Sequence, residues 1–168
     1  DFIIEAASEI ETIKLDIFKK LDDICPKNII LSSNTSSIPI TRIASVTNRR
    51  DKVIGMHFMN PAPIMKLVEI IRGTDTSDET LSAVKDIVEK VGKVSVVSKD
   101  TPGFIVNRLL MPLINEAIFA YMEGTSSKED IDNAIVLGTN QPIGPLSLAD
   151  LIGLDTVLSI MESIYKET

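Results

Sequence analysis

Histidine and cysteine each occur only once in the 168 residues, as His57 and Cys25. A lone cysteine excludes an internal disulfide framework and fits a reducing compartment such as the cytoplasm. One histidine with one cysteine leaves no ligand set for a structural zinc ion, and no other metal site is expected. Basic residues are in the minority: 17 Lys and Arg against 24 Asp and Glu give a formal charge of −7. A chain so balanced lacks the basic surface that non-specific binding to nucleic acid or to an anionic membrane requires. It has no run of about eighteen apolar residues, so no segment is expected to span a bilayer. It opens at Asp1 with neither a Met nor a charged-then-apolar leader, so there is no signal peptide to read. G-x-G-x-x-G and G-x-x-x-x-G-K-[ST] are both missing, so a nucleotide phosphate has no visible cradle. Repeats and low-complexity segments are absent as well.

What is present is a globular balance, 44% hydrophobic and 24% charged, long enough for one substantial core. DFIIEAA reads as a buried strand with nothing before it, which suggests a fragment. Ile10, Ile13, Ile17, Phe18, Leu21 and Ile24 recur at spacings of three and four, predicting one buried helix face, and Pro26-Lys27-Asn28 ends that helix. NIILSS predicts a second strand, followed by the polar turn Asn34-Thr35-Ser36-Ser37 and a short amphipathic turn with Ile40, Ile43 and Ala44. KVIGMHF and MKLVEII predict strands on either side of Asn60-Pro61-Ala62-Pro63. Thr76 to Val91 predicts a helix opened by a capping box over Thr76-Ser77-Asp78-Glu79 and closed at Gly92, and KVSVVS predicts a last strand. After Asp100-Thr101-Pro102-Gly103 the texture turns helical: Phe104 to Glu123, Ser127 to Leu137 and Leu146 to Glu167, with Gly124, Gly138 and Gly153 where helices should end. Pro112 inside the first of these frees the carbonyl of Arg108. The fold class expected is therefore α/β over residues 1–100 followed by an all-α domain over residues 101–168.

Buried strands are costly places for unpaired ionisable groups. Two strands break that rule, with His57 in VIGMHFM and Glu69 in KLVEII. Separated by a short connection, they can meet as a pair in which a carboxylate fixes the imidazole tautomer and strengthens it as a base. The pattern alone favours a satisfied core histidine beside an edge-strand glutamate. The Asn34–Ser37 turn closes a strand at its C-terminal end, where open α/β sheets bind ligands, although an ordinary polar turn reads the same way. Asn107 is a buried amide or a solvent-facing residue on an amphipathic helix. A Ser36–His57–Glu69 triad is conceivable in composition, but no G-x-S-x-G elbow supports it.

SSNTSSIPITRIA, DKVIGMHFMNPAPIMKLVEIIRG, KDTPGFIVNRLLMPLINEA, SKEDIDNAIVLG and PIGPLSLADLIGLD, in this order, resemble the L-3-hydroxyacyl-CoA dehydrogenases. Within that family they most resemble the bacterial enzymes for 3-hydroxybutyryl-CoA. The resemblance covers essentially all 168 residues. It implies the second half of a Rossmann-type NAD-binding domain followed by the first part of a helical substrate-binding and dimerisation domain, with the opening strands and glycine loop preceding Asp1. It implies hydride transfer between a 3-hydroxyacyl-CoA and NAD or NADP. His57 would be the general base, Glu69 its carboxylate, and Ser36 and Asn107 would be groups on the substrate oxygens. Glu9, Lys14, Ser36 and Asn60 would approach the cofactor. An acyl-CoA substrate, a homodimer through the helical domain and a cytoplasmic location complete the expectation. Two rivals remain: a non-catalytic assembly or acyl-CoA-contacting piece without a phosphate loop, and a related dehydrogenase recruited to a lens-type structural role or to a sugar acid.

Overall fold

A computed structural model describes residues 2–168, in two units, Asp1–Phe104 and Ile105–Thr168. The first is built on β1 (Phe2–Glu5), β2 (Ile30–Ser33), β3 (Val53–Phe58), β4 (Leu67–Arg72) and β5 (Val94–Lys99), which lie side by side in chain order. β1–β2, β2–β3 and β4–β5 are parallel, whereas β3 and β4 are antiparallel. Connection length explains the single reversal. A parallel crossover needs a dozen or more residues, and the parallel pairs are bridged by α1 (Glu11–Ile24), by α2 (Ile40–Ala44) with a 3-10 turn at Arg50–Lys52, and by α3 (Asp78–Lys90). Residues 59–66 are too few for that, so β4 must turn back on β3.

Side chains alternate across the sheet. On one face Leu31, Val53 and Ile71 join Phe18 of α1 and Ile40 and Ile43 of α2 in a single core. On the other, Ile54, Met56, Val68 and Ile70 pack against Val84 and Val88 of α3. Gly55 lets α2 lean on the sheet: a Cβ there would lie 2.8 Å from Ile71 Cβ and 2.9 Å from Ile40 Cδ1. The first core face is also the one that carries His57, two residues along the same strand.

The buried line of α1 differs from the predicted stripe. Ile10, Ile13 and Ile24 are exposed, and the residues buried are Lys14, Phe18 and Asp22, at i, i+4 and i+8. Hydropathy misleads here because each buried charge has a partner from a distant part of the chain, Glu5 in β1 for Lys14 and Arg49 before the 3-10 turn for Asp22. Lys14 Nζ donates to both oxygens of Glu5, at 2.8 and 3.1 Å. Asp22 receives Arg49 Nε at 2.7 Å, and the remaining donors of that guanidinium go to the carbonyls of Asp22, Cys25, Pro26 and Ile29 where α1 ends. Buried ions persist when their donors and acceptors are filled in this way. The cap of α3 also sits one residue later than the predicted box: Ser77 Oγ accepts from Thr80 N, and Glu79 takes no part in that capping pair.

The second unit comprises α4 (Val106–Met122, with Pro112 inside it), α5 (Lys128–Thr139), α6 (Pro145–Ile152) and α7 (Leu154–Glu167), around Met111, Ile114, Ala149 and Val157. Gly138 does not end α5 as predicted. The helix runs through it to Asn140, whose φ of 57° supplies the left-handed cap. Gly153, at φ 98°, does separate α6 from α7. Asp132 holds the start of α6 by accepting from the amides of Leu146 and Ser147 at 2.8 and 2.9 Å. No helix among the described residues is long and apolar enough to cross a membrane.

Burial opposes ionisation of Asp22, but hydrogen bonds from the Asn48 amide, Arg49 and the Asn48 side chain, with the charge of Lys27, outweigh it and hold the carboxyl well below the usual range. A depressed native pKa contributes stability above the unfolded-state value and loses it as pH falls toward the native one. Asp22→Ala should therefore cost about 3–5 kcal/mol in urea denaturation at pH 7, and the gap from the parent should narrow below about pH 4. A pH-independent gap would contradict the assignment.

Candidate active site

The antiparallel register sets His57 directly opposite Glu69, and facing residues in such a pair lie on the same side of the sheet. His57 is 6% exposed and Glu69 1%. Their side chains meet with Nδ1 and Oε2 2.7 Å apart. A carboxylate only accepts, so in the neutral ring Nδ1 carries the proton and Nε2 the lone pair. No hydrogen bond among the described residues reaches Nε2. The ring of Phe104 lies against the imidazole, edge to face, with centroids 5.7 Å apart and planes at 63°.

A second group of atoms gathers where β2 ends. Asn34 N donates to Glu5 O at 2.8 Å, and Asn34 Oδ1 accepts from the amide of Phe58 at 2.9 Å. That side chain continues the β2 side of the sheet one rung past its last backbone pairing, Ser33 with Gly55, and ties the turn to the residue after His57. The turn itself is held by Glu9. One carboxylate oxygen, Oε1, accepts from Thr35 Oγ1 and from the amides of Ser36 and Ser37 at 2.5, 2.7 and 3.0 Å, and from Ser37 Oγ at 3.1 Å. Burial works against the charge on Glu9, but the Thr35 hydroxyl, the Ser36 amide, Lys14 and the Ser37 amide prevail and lower its pKa. Ser36 Oγ has no hydrogen-bond partner among the described residues.

Beneath the turn, Lys14 Nζ is shared among Glu5, Ala7 O at 3.1 Å and Glu9 Oε2 at 3.4 Å. Glu5 Oε2 in turn accepts from Ser33 Oγ at 2.7 Å. Asn60 is exposed on the β3–β4 connection, which Lys93 anchors through the carbonyls of Ala62 and Met65, at 2.6 and 2.7 Å. Asn107 is buried in the first turn of α4, in the second unit.

The first unit thus joins His57 to Glu69, and Glu9 to Lys14 and to the serine turn. It draws no hydrogen bond between Ser36 and His57, so the hydrolase-like triad is not assembled. Sequence reasoning passed over four residues that shape this region. Glu5 could have been flagged as an acid closing an apolar strand. Asn34 belonged to a recognised turn without being singled out. Asp100, whose carboxylate accepts from Ile40 N at 2.9 Å and Thr41 N at 2.7 Å, carries a turn signal only. Phe104 gave no signal beyond following Pro-Gly.

Comparison with known proteins bears on what this arrangement does. Residues 1–101 match the model of the 3-hydroxyacyl-CoA dehydrogenase NAD binding domain, and residues 103–168 match that of the 3-hydroxyacyl-CoA dehydrogenase C-terminal domain. The chain is 58% identical to a probable 3-hydroxybutyryl-CoA dehydrogenase of Bacillus subtilis, over 99% of this chain and 58% of that protein. It is 48% identical to the human mitochondrial hydroxyacyl-coenzyme A dehydrogenase, over 99% of this chain and 53% of that one. The crystal structure of an (S)-3-hydroxybutyryl-CoA dehydrogenase from Ralstonia eutropha superposes with a TM-score of 0.97 at 53% identity, covering 99% of this chain and 59% of the other. The chain therefore spans somewhat over half the length of the proteins it matches.

If Glu9 organises the turn, Glu9→Ala should speed hydrogen exchange at the Ser36 and Ser37 amides by about tenfold or more, the worth of one net hydrogen bond to a charged acceptor. Amide exchange followed by NMR reads this, and unchanged protection at both amides would contradict it.

Proposed function

This chain belongs to the 3-hydroxyacyl-CoA dehydrogenase family, and from that premise we propose that it carries the acid–base centre of an NAD(P)-dependent enzyme interconverting (S)-3-hydroxyacyl-CoA and 3-oxoacyl-CoA. The favoured substrate is 3-hydroxybutyryl-CoA. The observation that supports this most is the buried His57–Glu69 pair, with Nδ1 and Oε2 2.7 Å apart and Nε2 without a hydrogen bond among the described residues. Oxidising a secondary alcohol removes a hydride from carbon and a proton from oxygen, and the proton needs an acceptor within hydrogen-bond reach. Imidazole is that acceptor, and the carboxylate behind it stabilises the imidazolium as it forms.

The remaining residues take roles around that proton transfer. His57 Nε2 accepts the C3 hydroxyl proton as the carbon–oxygen bond becomes a carbonyl, and it returns the proton in the reductive direction. Glu69 keeps Nδ1 protonated and the ring fixed. Ser36, whose hydroxyl at the end of β2 has no partner among the described residues, donates to the substrate oxygen, and a donor so placed favours charge building on oxygen; Asn107 is assigned to substrate contact on the family resemblance alone. A bound nicotinamide supplies the hydride acceptor. The residues present fit its ring end, since Ser36 Oγ has no partner among the described residues and Asn60 is exposed, while Glu9 and Lys14 hold the turn that carries Ser36; no glycine-rich phosphate loop lies within these 168 residues. In this reading residues 1–100 hold the cofactor, and residues 101–168 begin the substrate-binding and dimerisation domain. The exposed Met122, Leu137, Leu151 and Tyr165 suit a homodimer contact. The setting is cytoplasmic, without nucleic-acid or membrane partners.

The test is His57→Ala in a form as long as the relatives, assayed with acetoacetyl-CoA and NADH. Turnover should fall about a thousandfold, as for loss of a general acid–base, with the Kd for NADH kept within about threefold. Unimpaired turnover would refute the assignment.

A further inference from the structure

We propose that Phe104 is a positioning residue for His57, held in a left-handed backbone conformation so that its ring fixes the imidazole against Glu69. The role in catalysis rests on the dehydrogenase reading above; the role in orienting the ring does not. Phe104 has φ of 50°, a region that a bulky L-residue seldom occupies because of steric strain. It follows Gly103, itself at φ 74°, and closes a turn by donating its amide to Thr101 O at 2.9 Å. Two consecutive left-handed residues turn the chain in the segment that follows β5, which ends at Lys99. The side chain thus delivered is 3% exposed and sits in the core with Ile38, Ile40 and Ile43, in ring contact with His57.

The geometry of the imidazole shows what the contact supplies. Its one hydrogen bond among the described residues is at Nδ1. A ring held at a single corner can still pivot about that bond, and the pivot displaces Nε2, the atom farthest from the anchor. Displacing a reacting group by about 1 Å can cost about a hundredfold in rate. The Phe104 ring, at 63° to the imidazole, blocks that pivot from the side. An aliphatic side chain could also line this core, but it has no flat face to set against the imidazole. Strained residues of this kind persist where the surroundings over-determine them, and functional sites are where they gather.

Phe104→Leu keeps the apolar bulk and removes the flat ring, and Phe104→Tyr restores the ring. The first readout is the 15N spectrum of the His57 imidazole in this chain, where one tautomer, protonated at Nδ1, is expected. Phe104→Leu should mix the tautomers or broaden the signals, and Phe104→Tyr should return them to the parental pattern. An unchanged pattern in Phe104→Leu overturns the proposal whatever the activity. The second readout is turnover in the longer form: kcat should fall about tenfold or more with KM for acyl-CoA and NADH within about threefold, and Phe104→Tyr should recover it. Parental kcat in Phe104→Leu overturns the catalytic role. A parent that fails to turn over acetoacetyl-CoA counts against the dehydrogenase reading alone, since the imidazole spectrum still decides the positioning role. If Phe104→Leu does not fold, as judged by thermal melting, Phe104→Met takes its place with the same outcomes.

Discussion

One 2.7 Å contact between an imidazole and a carboxylate, both nearly out of reach of solvent, constrains much of this molecule. Neither group could be buried alone without a penalty of several kcal/mol. For the two to meet, β3 and β4 must run antiparallel and in the register that puts residue 57 opposite residue 69. A shift of one residue would send Glu69 to the other face, into the layer of Val68, Ile70 and α3. The short proline-broken connection between the strands limits how they can pair, and the absence of a side chain at Gly55 lets α2 pack on the same face close by.

Elsewhere the chain repeatedly uses carboxylates as distant acceptors. Glu5 ties β1 to Ser33 of β2 and to Lys14 of α1; Glu9 gathers the serine turn; Asp22 receives Arg49; Asp100 meets the first amides of α2; Asp132 does the same for α6. Helix starts and tight turns leave amides unpaired. In this molecule many of those amides are satisfied from another part of the chain rather than by a neighbouring Ser or Thr. An acidic composition that looks, as a sum, like mere surface charge is in part an internal hydrogen-bonding framework. Its consequence for the site is rigidity: the turn carrying Ser36 is held by Glu9 from one side and by Asn34 to Phe58 from the other.

How much of this could be read in advance depended on whether the signal was local. The strands, the helices and the breaks at Gly92 and Gly153 follow from periodicity and backbone preference, and they appear where those rules put them. His57 and Glu69 stood out because an ionisable residue in an apolar strand is a local anomaly, although only the register shows that they touch. Long-range pairing was not legible. The buried line Lys14–Phe18–Asp22 looked like the wrong face of α1, because nothing nearby announces Glu5 or Arg49 as partners. Gly138 looked like a stop, but helix α5 tolerates it and ends on Asn140 instead. The left-handed backbone at Phe104 is likewise invisible in a residue type that rarely adopts it.

The central claim is that Glu69 holds the Nδ1 proton of His57 in a protected hydrogen bond. The most direct measurement is the downfield proton spectrum of this chain near neutral pH, compared with that of Glu69→Ala. A slowly exchanging imidazole proton, present in the parent and lost in the variant, is the result predicted. Its absence from the parent, or its persistence without the carboxylate, would contradict the account.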